Sequence, residues 1–170
     1  KKQLVIGLKK KMTVEENLKK LNIELPNATP PVGSYVATKI VGNLLYISGQ
    51  ISIDKDGNLI KGKLGSELNT EKGYLAAERC ALNILSQAKK ACEGNLEKIK
   101  ACIKLTGFVN STPDFSEQPK VINGASDTMV KILGEKGIHT RAAVSTNSLP
   151  LGVAVEVDAI FELNWSIFQY

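Results

Sequence analysis

Two charged side chains set among apolar neighbours, Arg141 and Glu156, are the residues of this chain best suited to chemistry. A guanidinium grips a planar carboxylate through two parallel hydrogen bonds and keeps its charge at any relevant pH. A glutamate beside it can take a proton from water. Both lie in the stretch TRAAVSTNSLPLGVAVEVDAIFEL, Thr140 to Leu163, which reads as two strands around the turn Asn147-Ser148-Leu149-Pro150. Strand side chains alternate with period two, so Val153, Val155, Val157, Ala159, Phe161 and Leu163 share one face. Ala154, Glu156, Asp158, Ile160 and Glu162 take the other. If the two runs are sheet neighbours, Arg141 joins Glu156 on the face the valine stripe leaves free. Unpaired buried charge is expensive, so the two must pair or serve a ligand. On alternation alone, an ion pair that fixes register, across strands or between subunits, is the simpler account.

Little else in the chain competes. His139 is the single histidine, which removes two-histidine acid–base chemistry and leaves none to spare for a Ser-His-Asp triad. Its place before the first of the two runs reads as structural. Cys80, Cys92 and Cys102 have no CxxC or Cys-His spacing, so no zinc site is expected, and they read as small reduced core residues. The net charge of +5 is local. Five of the 22 bases stand in residues 1–11, KKQLVIGLKKK, which hold no acid, leaving 17 bases against 17 acids in the remainder. That leader reads as a basic arm, a targeting remnant or vector-encoded residues, with Met12 a sensible native start. A neutral domain with two arginines does not suit nucleic acid, and no apolar run reaches the ~20 residues that span a bilayer. A cytoplasmic location is expected, or an organellar one if residues 1–11 are native.

The elements that must position Arg141 and Glu156 follow in order. Thr13-Val14-Glu15-Glu16 has capping-box spacing and opens a short helix to about Asn22. A Pro-rich connector leads to Gly33-Ser34-Tyr35. Strands Val36–Val41 and Leu44–Gln50 flank the turn pair Gly42-Asn43, and Asp54-Lys55-Asp56-Gly57 makes a second turn. Residues 58–69 read as irregular. Asn69 or Thr70 caps a long helix to Glu93 with Leu75, Leu82, Leu85 and Ala88 buried, and Gly94 ends it. Lys100–Asn110 alternates, with Ala101, Ile103, Leu105 and Val109 on one side, until Thr112-Pro113-Asp114. Pro119 starts a helix whose apolar face is Val121, Ile122, Ala125, Met129, Ile132 and Leu133. The pattern predicts an α+β domain over 12–163, a mixed β-sheet with two main helices on one face, and a tail from 164 to 170. Trp165, Phe168 and Tyr170 of that tail could dock on a neighbour or fray. The second sheet face has no cover within the chain, which predicts a closed homo-oligomer.

Four segments, Gly33-Ser34-Tyr35, Tyr46-Ile47-Ser48-Gly49-Gln50, Lys104–Val109 and Arg141-Ala142-Ala143-Val144…Leu149-Pro150…Val155–Ala159, resemble the Rid family (YjgF/RidA, "endoribonuclease L-PSP"). The pattern Leu18-x-x-Leu21…Pro26…Pro30-Pro31-Val32-Gly33, with Ala81-Leu82-Asn83 and Gln118–Ser126, resembles its longer branch. The resemblance implies a chorismate-mutase-like fold and a homotrimer with clefts between subunits. It further implies cofactor-free hydrolysis of 2-imino or 2-enamino acids to 2-oxo acids and ammonia. Arg141 would bind the carboxylate and Glu156 would place or activate the water. Tyr35, Ser48, Gly49, Phe108, Asn123 and Ala143 would line the site, Gly49 and Ala143 through backbone groups. Packing for Tyr35 and a solvated amide for Asn123 stay open on sequence alone. Two departures bear on substrate preference: Ala143 stands where a better-known branch has cysteine, and Gly-Ser-Tyr replaces Gly-Pro-Tyr. Non-catalytic binding of small carboxylates, or a chaperone-like role, is the alternative. A ribonuclease would need the basic tract and acid–base pair that are missing here.

Overall fold

A computed structural model describes residues 12–164. The leader and the tail aromatics Trp165, Phe168 and Tyr170 lie outside the described residues. Thr13 closes the expected capping box on Glu16 and starts α1 (Val14–Lys20). After the connector come β1 (Thr38–Val41) and β2 (Leu44–Ile51) around Gly42-Asn43, with Gly42 at φ +60°. Asn69 accepts from the Lys72 N–H and caps α2 (Thr70–Ala91). β3 (Ile99–Asn110), α3 (Gln118–Leu133), β4 (Thr140–Thr146) and β5 (Val155–Leu163) complete the chain.

The sheet runs β1-β2-β5-β3-β4, with β3–β4 parallel and every other pair antiparallel. The main helices α2 and α3 pack together on one face. The odd-numbered residues of β5 point at them, all at most 1% exposed. All six apolar residues expected to bury from α3 do so. The three cysteines are free and buried, and burial pushes the Cys102 thiol up to about 12. Nothing in the described chain covers the opposite sheet face, where Val41, Tyr46 and Val144 are exposed.

Three expectations are corrected. Leu75 is 52% exposed, because α2 buries Ala76, Ala77, Cys80 and Ala81 instead. Ile103 is exposed as well: a register irregularity between Cys102 and Lys104 turns it away and puts Cys102 inward in step with Leu105. Most consequentially, β4 and β5 do not form a hairpin. β3 lies between them, and the link from Thr146 to Val155 crosses it.

Candidate active site

The inserted strand decides where the two charges go. Arg141 is level with Leu105, and Leu105 with Ala159, so Arg141 belongs to the row that faces the helices. Glu156 is level with Phe108 and, on its other side, with Ile51; Phe108 is level with Val144. That row faces the uncovered side. Arg141 and Glu156 therefore leave one protomer from opposite faces of its sheet, contrary to the shared face expected from the alternation. Period two orders residues within a strand, but it cannot say how strands not in contact are phased.

The Arg141 half is densely bonded. Its Nη1 donates to Asn123 Oδ1 at 2.8 Å and Ser126 Oγ at 3.0 Å, and Nη2 donates to the Pro119 carbonyl at 3.2 Å. All three acceptors belong to α3, so the first turns of that helix fix the guanidinium at the outer strand of the sheet. Asn123 is thus brought to Arg141 as a partner, and Ser126, which the motif alone does not single out, joins it. Its spacing of three from Asn123, one helical turn, was the available signal. Ala143 also lies on this face, level with Gly107 and Val157 and half-buried.

The Glu156 half is hollow. Glu156 borders a cavity of about 500 Å³ shared with Tyr35, Gly49, Gln50, Asn83 and Leu151, and closed on one side by Thr29 to Val32 of the connector. Burial, then the nearby Asp158, raises its carboxyl above the ordinary glutamate range. Its carboxylate makes no hydrogen bond or ion pair among the described residues. It rests against Gly49, where a Cβ would overlap Oε1 and stand 2.9 Å from Cδ. Gly49 sits at the β2 irregularity between Ile47 and Gln50, so the strand opens where the carboxylate needs room. Ser48 does not enter the cavity; its hydroxyl donates to the Val36 carbonyl at 2.7 Å and ties the connector to β2. Phe108 is half-buried on the open face in the Glu156 row, and Tyr35 lines the cavity while 54% exposed.

The connector and the loop after β4 complete this wall. Gln87 Nε2 donates to the Thr29 carbonyl at 2.7 Å, which straps the connector to α2. Lys63 Nζ reaches Asn110 Oδ1 at 3.0 Å and the Asn147 carbonyl at 2.5 Å, anchoring the loop that presents Leu151. Leu151 adopts φ +59°, a left-handed conformation that leucine rarely takes. Such strain persists where the surroundings hold it, often beside a ligand site. Among the described residues, no three His, Cys, Asp or Glu side chains are placed to hold a metal ion, and no helix is long and apolar enough to cross a membrane.

A family profile described as "YjgF/chorismate_mutase-like, putative endoribonuclease" matches residues 15–163. The chain belongs to the YjgF/RidA family. Protein TCP17 of Trypanosoma cruzi is 45% identical over 152 residues, 89% of this chain and 94% of that protein. The crystal structure of Atu1372 from Agrobacterium tumefaciens superposes with a TM-score of 0.83 at 46% identity, covering 89% of this chain and 92% of the other. A 2-iminobutanoate/2-iminopropanoate deaminase of Dermatophagoides farinae is 24% identical over 139 residues, 81% of this chain and 92% of its own. The YjgF/RidA fold is therefore the α+β architecture described above, with its one mixed sheet.

Proposed function

We propose that the chain is a cofactor-free hydrolytic deaminase of reactive 2-imino and 2-enamino acids, assembled as a homotrimer whose sites lie between subunits. The observation that carries this reading is the division of the site. A carboxyl without a partner, its pKa raised by burial, stands at a cavity with no lysine, arginine or histidine in its lining. The guanidinium suited to a substrate carboxylate is held at the sheet's outer strand on the opposite face. A second copy, bringing its β4 edge to the open face, supplies the missing cation. In that arrangement one protomer's Arg141 binds the carboxylate, and the neighbour's Glu156 takes a proton from water as oxygen adds to the C=N carbon. Returning that proton to nitrogen gives the carbinolamine, and passing its hydroxyl proton to nitrogen as the C–N bond breaks releases ammonia, so that C=N and water become C=O and ammonia. The name of the Dermatophagoides relative supports the reaction class.

The endoribonuclease of the family description finds less support. The one histidine is turned inward, its Nδ1 on the Gly137 carbonyl and its Nε2 on Ser126. The deciding assay is ammonia release from 2-iminobutanoate generated in situ. Wild type should exceed buffer, and Arg141→Ala should lose at least a hundredfold in kcat/KM, roughly the 3 kcal/mol of a charge-assisted contact. A wild-type rate equal to buffer would end the proposal.

A further inference from the structure

The cavity beside Glu156 is larger and more apolar than a small imino acid needs. Pro31, Val32, Ile53, Leu59 and Leu151 supply apolar wall, and Glu156 and Tyr35 are the ionisable groups in the lining. The side-chain amides that border it are turned to backbone: Gln50 Nε2 to the Ser48 carbonyl at 2.9 Å, Asn83 Nδ2 to the Ile51 carbonyl at 3.3 Å, and Gln87 to Thr29. In the shared site the neighbour's Arg141 takes the carboxylate at the open face, and the lining behind it holds no cation for a second one. What remains for this space is the substituent on the imine carbon. The volume of about 500 Å³ equals roughly 17 waters at ~30 Å³ each, most of which a methyl or ethyl group would leave in place.

We infer that this cavity is the side-chain subsite, and that the substrates are 2-imino acids with bulky apolar side chains of isobutyl or benzyl size. The inference rests on the deaminase reading and extends it. Displacing water from an apolar wall rewards each added methylene, and one methylene is worth about tenfold or more in such a pocket. The specificity-determining residues are Leu59 and Leu151, which line the space from the segment after the 54–57 turn and from the loop after β4.

The experiment compares kcat/KM for imines made in situ by an amino-acid oxidase from leucine, phenylalanine and alanine. The leucine- and phenylalanine-derived imines should exceed the alanine-derived one at least tenfold. Leu59→Trp, which fills the space, should remove that advantage. In parallel, 4-methyl-2-oxopentanoate should bind the resting protein at least tenfold more tightly than pyruvate by calorimetry. An alanine-derived imine turned over as well as the others overturns the subsite and leaves the deaminase standing. If no imine is hydrolysed, both fall.

On the helix-covered face, the geometry points independently to His139 as a positioning residue for Arg141. The Gly137 carbonyl, 2.6 Å from Nδ1, can only accept, so Nδ1 carries the imidazole proton. In the neutral ring Nε2 is then an acceptor, 3.0 Å from Ser126 Oγ. Arginine can only donate, so the Ser126 oxygen accepts from Arg141 and its own hydrogen points to Nε2. This chain of single-sense hydrogen bonds fixes the hydroxyl, and with it the guanidinium. Because His139 is the only histidine, its nitrogens are readable without assignment. Long-range ¹H–¹⁵N spectra should show the Nδ1–H tautomer, and saturating 2-oxobutanoate should shift the Nε2 resonance. Ser126→Ala should abolish that shift and raise KM about threefold or more with kcat little changed, and Ser126→Thr should restore both. An Nε2–H tautomer, or a ligand response that survives in Ser126→Ala, overturns the relay.

Discussion

The two faces of the sheet carry opposite kinds of half-site. On the helix-covered face, Arg141 is held by three acceptors of α3, which leaves its Nε and one Nη2 hydrogen for a ligand. On the open face, Glu156 has no partner and borders a cavity. The difference teaches that positioning and reactivity are divided: the packed half fixes a charge in place, and the hollow half keeps a carboxyl poorly solvated and free to move a proton. In the proposed assembly a second copy completes the site, and the exposed Val41, Tyr46 and Val144 of the open face give that copy something to cover.

The largest effect should come from disabling the hollow half. Glu156→Gln removes the base and should lower kcat by about a hundredfold or more, the usual range for general-base loss. In wild type, activity should fall on acidification through the Glu156 pKa, which lies above the ordinary carboxylate range. A pH–rate profile should place that acidic limb there, and Glu156→Gln should lack it. A limb that persists in the variant would assign the proton transfer to another group.

Gly49→Ala sharpens the contrast between holding and reacting. The atom its methyl would meet is the far end of a flexible side chain, so β2 should stay and the carboxylate should move. Displacement of about 1 Å can cost up to ~100-fold in a positioned reaction. The expected outcome is a loss of about tenfold or more in kcat with Tm nearly unchanged. A large fall in Tm would instead make Gly49 a folding residue.

Much of this was open to a reading of the sequence. Thr13 and Asn69 cap their helices because short acceptors suit an N-cap, Gly42-Asn43 turns because glycine tolerates positive φ, and α3 shows its buried face at helical spacing. The site was legible as types and not as geometry. Gly49, Tyr35 and Glu156 do meet, and Asn123 does reach Arg141. What failed was the phasing of β4 against β5, since alternation is local and β3 lies between them. The Cys102–Lys104 irregularity hid Ile103 in the same way. The wall of the cavity was hidden for another reason: the connector and Leu151 have no period, and only tertiary hydrogen bonds from Gln87 and Lys63 place them.

The smallest effect is on stability. Because Glu156 is raised by burial, the folded chain holds that proton more tightly than the unfolded chain does. Its contribution is fully present below the unfolded pKa and is lost as pH climbs through the folded one. Glu156→Gln cannot ionise, so its Tm should match wild type near pH about 4 and exceed it modestly at pH about 8. Equal Tm values at both would show that the carboxyl is well solvated.

The central claim, that one site takes Arg141 from one subunit and Glu156 from another, is tested by mixing subunits. Arg141→Ala and Glu156→Gln proteins, each inactive alone, are unfolded together in equal amounts, refolded and assayed. In a cyclic assembly half the sites draw an intact Arg141, and half of those face an intact Glu156, so about one quarter of wild-type activity should return. No recovery, with mixed assemblies demonstrated by mass spectrometry, would contradict the shared site.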